Sequence, residues 1–359
     1  MKTPFPYFGG KSSIASEIWQ RFGDTPNYVE PFFGSGAVLL NRPNWTPECR
    51  WLETINDASG YVANFWRAVQ AEPDAVAHYA DWPVNENDLH ARHIWLVHRK
   101  DELSAQLEGD PGWYDTKIAG WWAWGMSCWI GSGFCSGNGP WGLAEDDEGN
   151  RKLVHLGDAG RGVNRKRVHL GNAGRGVNRK LVHLGDAGRG VNRQRVHLGN
   201  AGRAGDGEAG LYAWMQALSD RLVRVRVCCD DWTRVMGPTV TERNGLTAIF
   251  LDPPYSDAAN RDPDLYEQDS LDVAHDARAW CVENGDNPML RIALCGYRDE
   301  HDGLEAAGWE ALEWKASGGY GSQGNGNGRA NATREVIWFS PACLKVARRM
   351  SLFDLELAL

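Results

Sequence analysis

The chain has 359 residues, 42% of them hydrophobic and 24% charged, with a formal net charge of −9. That composition suits a globular protein of one large or two smaller domains, and no apolar run approaches the ~20 residues needed to cross a bilayer. The acidic average argues against a nucleic-acid partner, but residues 151–206 hold 13 Lys/Arg and three Asp, which leaves the remainder at −19. A basic insert in an acidic body is the pattern of a confined polyanion contact.

The N-terminal stretch MKTPFPYFGGKSS lacks the apolar core of a signal peptide, so a cytoplasmic protein is expected. The eight cysteines form no CxxC pair, so reduced thiols and no metal site are expected. Residues 12–22 predict a helix capped by Ser12 or Ser13, with Ile14, Ile18 and Phe22 on one face. NYVEPFFGSGAVLL (27–40) reads as strand, tight glycine turn and helix. Residues 50–57 read as a second strand ending in acids, and 61–69 as a helix. Residues 85–145 have no clean period and are rich in Trp and Gly.

The basic insert is a tandem array of period 14, beginning RKLVHLGDAGRGVN at 151. Copies one and three are identical, which suggests a 28-residue unit. Each copy offers a short strand and a Gly-rich turn, the form of stacked arrays. A DNA-backbone or groove surface fits the charge, with Arg161, Arg165, Arg175, Arg179, Arg189 and Arg193 as candidate contacts. A solvated insertion is the alternative. Metal binding by the four histidines fits poorly, because 14 residues is not ligand spacing. Beyond the array, a helix is expected over 211–222 and strands over 223–229, 246–252, 291–295 and 335–339. Alternating strands and helices on both sides of an irregular middle predict a doubly wound α/β domain of 1–84 and 211–359, with 85–210 inserted.

Ligands of such sheets bind at the carboxyl ends of strands. Three expected strand ends carry candidates: Glu30 with the glycines of EPFFGSG, Asp57 as a ribose acceptor or a helix cap, and LDPPY at 251–255. Two consecutive prolines end that last strand, because proline cannot donate to a ladder.

PYFGGK (6–11), YVEPFFGSGAV (28–38) and LDPPY (251–255), in that order, resemble the Dam-type adenine-specific DNA methyltransferases. IND (55–57), CDDW (229–232) and REVIWFS (334–340) fit further motifs of that family. The resemblance covers roughly 1–75 and 211–340; the array is a departure from it. It implies a Rossmann-like S-adenosylmethionine-dependent domain that methylates adenine N6 in double-stranded DNA, with the middle region recognising the target. The Asp252 carboxylate and Pro253 carbonyl would accept hydrogen bonds from the target amine, with the backbone fixed by Pro253 and Pro254. Tyr255 would offer its face to a flipped base. Tyr7, Gly10 and Lys11 would approach the cofactor's methionine end, with Lys11 on its carboxylate or simply solvated. Glu30, Phe32, Gly34 and Gly36 would form the turn beneath the cofactor, and Asp57 would hold its ribose. Asp231, or Asp230 if the register shifts by one, would meet its adenine amine, with Trp232 beside the ring.

WIGSGFCSGNGPW (129–141) falls where the family has a loop near DNA; its aromatics either stack on bases or pack internally. The Gly/Asn-rich 314–335 is expected to be mobile without DNA. Cys228, Cys229 and Cys295 read as core thiols. RNA or protein-amide methylation, and a catalytically silent DNA-binding module, are the rival functions; intact Asp252, Gly34 and Gly36 argue against the last. No nuclease motif is visible, which suggests a solitary modification enzyme of phage or prophage type.

Overall fold

The computed structural model describes residues 1–7, 10–129, 134–135, 141–145, 151–155, 207–254, 272–301, 303–314 and 335–346. Seven strands form one sheet: β1 (Asn27–Glu30), β2 (Leu52–Asn56), β5 (Val225–Cys228), β6 (Thr247–Leu251), β7 (Leu290–Tyr297), β8 (Glu310–Glu313) and β9 (Glu335–Phe339). Their spatial order is β5-β2-β1-β6-β7-β9-β8. The first five in that order run parallel. β9 runs antiparallel to both β7 and β8. Two further strands, β3 (Trp141–Glu145) and β4 (Arg151–His155), pair antiparallel as a separate ribbon.

Alternation along the strands splits the core into two layers. Tyr28, Ala248, Phe250, Ala293, Cys295, Ile337 and Phe339 face one apolar cluster. Val29, Ile249, Leu251, Ile292, Leu294, Val336 and Trp338 face the other. The first layer is covered by α1 (Ala15–Phe22), α2 (Gly60–Ala71) and α7 (Gly207–Leu222), and the second by α8 (Val273–Asn284). Helices thus lie on both faces of a mostly parallel sheet, the α/β arrangement read from the alternating elements.

Up to Cys128 the irregular middle is mostly helical. α3 (Pro73–Ala80), α4 (Glu86–Val97), α5 (Lys100–Gly109) and α6 (Thr116–Cys128) follow α2, and Leu89, Leu96, Leu107 and Trp122 join the same cluster as Phe5 and Phe65. α6 resists periodicity because it is buried nearly all round, from Ile118 to Cys128 with Trp121 half-buried. Gly120 lets α3 approach it: a Cβ there would stand 2.7 Å from the Val76 carbonyl. Trp129 and Phe134 are buried, with centroids 4.9 and 5.4 Å from His93, so these two aromatics pack internally.

Two local expectations need correction. α1 starts at Ala15, and Ile14 stands at its N-cap with no side-chain cap. The Lys11 carbonyl receives the Ile14 and Ala15 amides instead, so neither Ser12 nor Ser13 caps it. The helix expected up to Leu40 is a single short turn, Leu39–Asn41. Pro43 forces Arg42 to extended geometry (ψ 123°) and ends it. Of the array, Arg151–His155 is a strand, as its first segment suggested; the six candidate arginines lie outside the described residues, as do Tyr255 and 315–334.

Candidate active site

Strand order reverses beside β1. The chain winds from β1 to β2 and β5 in one direction, then returns through β6 to β7 in the other. The crevice at such a reversal is where open α/β sheets hold ligands. Here it lies between the ends of β1 and β6, at Glu30 and Asp252.

The loop after β1 needs its glycines. Gly34 and Gly36 have φ of +49° and +70°, in the region that L side chains avoid. A Cβ on Gly34 would stand 2.6 Å from the Tyr7 ring, and one on Gly36 2.7 Å from Phe33. Gly10 is exposed, and nothing around it excludes a side chain. The loop is tied down by Gly34 N to Asp57 Oδ2 (2.8 Å), Phe33 N to Asn56 O (3.0 Å) and Trp66 Nε1 to Gly34 O (2.9 Å). Asn56 Nδ2 donates to Pro31 O (3.1 Å) and Asp230 O (2.9 Å), so one amide joins the loops after β1 and β5.

Asp57 is not the helix cap. Its Oδ1 accepts the Ser59 amide at 2.9 Å, and Ser59 caps α2 through Val62 N. Burial pushes the Asp57 carboxyl up to about 6, against the opposing pull of the Gly34 and Ser59 amides. Glu30 is buried beneath the loop and accepts from Tyr28 Oη at 2.7 Å. Burial raises its carboxyl well above the usual range; the Tyr28 bond opposes this, and the Asp252 and Asp57 charges add to it.

At the end of β5 the acidic doublet has local partners. Asp231 is exposed and caps the short turn Trp232–Val235, receiving Thr233 N at 3.0 Å. Asp230 receives Asp231 N at 2.7 Å and sits 3.4 Å from Arg234 Nε. Trp232 is buried, with its ring 5.8 Å from that of half-buried Phe32.

At the end of β6, Pro253 is buried and Asp252 half-buried. The Lys11 ammonium, itself buried, donates to Asp252 Oδ1 at 2.9 Å and Oδ2 at 2.8 Å. Glu335 Oε2 lies 3.9 Å from the same nitrogen, and the Trp314 ring centroid 5.6 Å away. Burial would lower the lysine, but Asp252, Cys295 and Glu335 reverse this and hold it above its ordinary value. Lys11 therefore meets Asp252 here. The antiparallel run of β9 explains Glu335: its first residue pairs with Tyr297, the last of β7, at the same sheet edge.

This glycine loop, with Tyr7 beside it, lies in the stretch that carries the comparison with known proteins. Residues 7–106 match the D12 class N6 adenine-specific DNA methyltransferase. The Dam-type resemblance is borne out there. Residues in this chain are also 34% identical over 93 positions to a protein named DNA adenine methylase from Vibrio cholerae serotype O1, in both the Classical Ogawa 395 and El Tor Inaba N16961 strains. That alignment covers 26% of this chain and 31% of each relative, so the chain spans about a third of the length of the curated relatives it matches. The family match contains Tyr7, Gly10, Lys11, Glu30, Phe32, Gly34, Gly36 and Asp57, and ends before Asp231, Trp232 and Asp252.

Sequence reading missed three residues of this corner. Asn56 was visible only as part of IND. Glu335 stood in REVIWFS without a role, and its place beside Lys11 depends on strand direction. Cys295, read as a core thiol, is buried but lies in hydrogen-bonding reach of Asp252. Among the described residues no group of three His, Cys, Asp or Glu could hold a metal ion, and no helix is long and apolar enough to cross a membrane.

Proposed function

We propose that this chain is an S-adenosylmethionine-dependent DNA methyltransferase that methylates adenine N6. Its Rossmann-like catalytic domain comprises 1–84 and 211–359, and 85–210 is a target-recognition insert carrying the array. The observation that carries the reading is the Asp-Pro-Pro corner at the end of β6, set across the strand-order reversal from the D12-like glycine loop.

The loop fits the cofactor. Its two positive-φ glycines keep backbone bare, the Phe32–Trp232 pair gives an aromatic wall, and Asp57 stands at the lip. Asp57 brings a carboxyl to the loop, while the Lys11 ammonium offsets the Asp252 carboxylate. Bound S-adenosylmethionine supplies an electrophilic methyl group. Phe32, Gly34 and Gly36 would hold it, with Asp57 on its ribose and Trp232 beside its adenine. Asp231 remains the candidate for the adenine amine, once it gives up its bond to Thr233.

The chain's own chemistry acts on the target. An exocyclic adenine amine is a poor nucleophile because its lone pair is delocalised into the ring. The Asp252 carboxylate and Pro253 carbonyl accept hydrogen bonds from its two N–H groups and draw the nitrogen toward tetrahedral geometry, freeing the lone pair. The prolines hold those acceptors in place before the amine arrives, which is preorganisation. Tyr255 stacks on the flipped base. Double-stranded DNA is the partner, gripped by the array arginines. Parallel radiolabel transfer to DNA, RNA and protein tests the reading; label on RNA or protein alone would replace it.

A further inference from the structure

Phe32 is flanked by two residues that bond to the same partner. The Phe33 amide donates to Asn56 O at 3.0 Å, and the Pro31 carbonyl accepts Asn56 Nδ2 at 3.1 Å. The same nitrogen also donates to Asp230 O at 2.9 Å, two residues before Trp232. Asn56 ends β2, which lies between β1 and β5, so one side chain reaches the loops leaving both neighbours. Those two strands each pair with β2 and not with each other, so nothing in the ladder ties their loops together directly. The residue type follows from what the loops offer. Pro31 has no N–H to donate, so its loop presents a carbonyl there, as the other loop does. Two carbonyls need two donors, and a neutral amide supplies both from one nitrogen. Asn56 Oδ1 is buried and accepts no hydrogen bond. An unmet buried acceptor costs stability, so the side chain serves through its donors.

We propose that Asn56 is a positioning residue for the cofactor: by bridging the two loops it sets the Phe32–Trp232 wall against which the cofactor's adenine packs. The inference rests on the proposed S-adenosylmethionine site. The two rings stand 5.8 Å apart at 31°. Phe32 is pinned between its bonded neighbours, and Trp232 follows the bonded Asp230 through a short loop. The wall is therefore in place before the cofactor arrives, and binding does not have to order it. Without the bridge, the two loops are joined only by the contact of the rings themselves. Asn56 touches no reacting atom, so its effect should fall on cofactor binding more than on the chemical step.

The test measures steady-state methyl transfer by the full chain, with S-adenosylmethionine varied and DNA from a host lacking the enzyme as acceptor. Asn56→Leu keeps the size but donates nothing. Its KM for S-adenosylmethionine should rise about tenfold, for two lost hydrogen bonds, and by more than kcat falls. A merely structural role would lower kcat through loss of folded enzyme and leave KM alone. In Asn56→Asp the protonated carboxyl still donates to one carbonyl, while the ionised form repels both. Its KM relative to wild type should therefore rise with pH from about 5.5 to about 8.5. In the Trp232→Ala background, Asn56→Leu should raise KM much less, because the wall is already gone. An unchanged KM in both Asn56 variants, a loss confined to kcat, or failure of both to fold overturns the positioning role, while wild-type transfer to DNA leaves the methyltransferase reading intact. A wild-type chain that transfers no methyl group to DNA overturns both.

Discussion

The Gly34 amide donates to Asp57 Oδ2 at 2.8 Å, across 23 residues of sequence. The carboxylate that would hold the cofactor's ribose is therefore also the clasp of the loop beneath it. Asp57→Ala should cost affinity twice, through the lost ribose contact and the loosened loop, by about 1–3 kcal/mol per polar partner. Calorimetric titration with S-adenosylmethionine checks this; unchanged affinity would remove Asp57 from the pocket.

The same carboxyl gives a pH dependence. Its folded-state value, about 6, lies above its ordinary 3.8. The folded chain therefore binds the extra proton, and Asp57's contribution to stability is complete below about 3.8 and lost as pH rises through about 6. Affinity for a cationic cofactor should move oppositely, rising as Asp57 ionises. Asp57→Asn should flatten the component centred near 6 in both curves, read by calorimetry and by denaturant melts from pH 4 to 8.

Asp252 is catalytic in the proposal but also the partner of a buried lysine. Asp252→Ala should abolish methyl transfer and destabilise the fold by about 1.5–3 kcal/mol, because Lys11 loses its charged hydrogen bonds. Asp252→Asn keeps an acceptor, so it should lose less stability while still losing most activity. Near-normal turnover in Asp252→Ala would sink the assigned chemistry.

Glu53 on β2 is buried between two arginines. Arg42 Nη1 reaches Oε1 at 2.9 Å; Arg221 reaches Oε2 at 2.7 Å and Oε1 at 2.9 Å. Arg221 lies in the last turn of α7, so this carboxylate fastens the element after the array to β2, the second strand in from the sheet's edge. Glu53→Ala leaves two buried guanidiniums without their counter-ion and should cost about 3–5 kcal/mol. Urea unfolding measures it; a loss below 1 kcal/mol, on the order of an exposed pair, would contradict the burial.

For the array, removing one 28-residue unit (165–192) should lower DNA affinity without changing the methylated sequence. At one or two phosphates per copy, the slope of log affinity against log salt should shrink by about 2 to 4. An unchanged slope would make the array a passive insertion.

The sheet was legible where its strands are apolar runs with hard stops. β6 matched the run before two prolines, and β9 was read at its observed bounds. α8 was not read, because Ala274, Ala277 and Cys281 are too small to mark a face. α6 was hidden by indoles and glycines buried on nearly every side. Arg92, for instance, sits 4.3–5.1 Å from three tryptophan rings, a cluster no simple period announces. Of the site, the loop and the Asp-Pro-Pro corner could be read because glycine and proline act through local backbone. The Lys11–Asp252–Glu335 group could not, because it depends on which strand ends meet.

That grouping also fixes when the chain can work during its own synthesis. Lys11 leaves the ribosome early, Asp252 follows 241 residues later, and Glu335 later still. A product broken off anywhere in the array has the glycine loop and the lysine but neither carboxylate. Such a fragment lacks the Asp-Pro-Pro corner altogether, and with it the acceptors that the proposal assigns to the target amine.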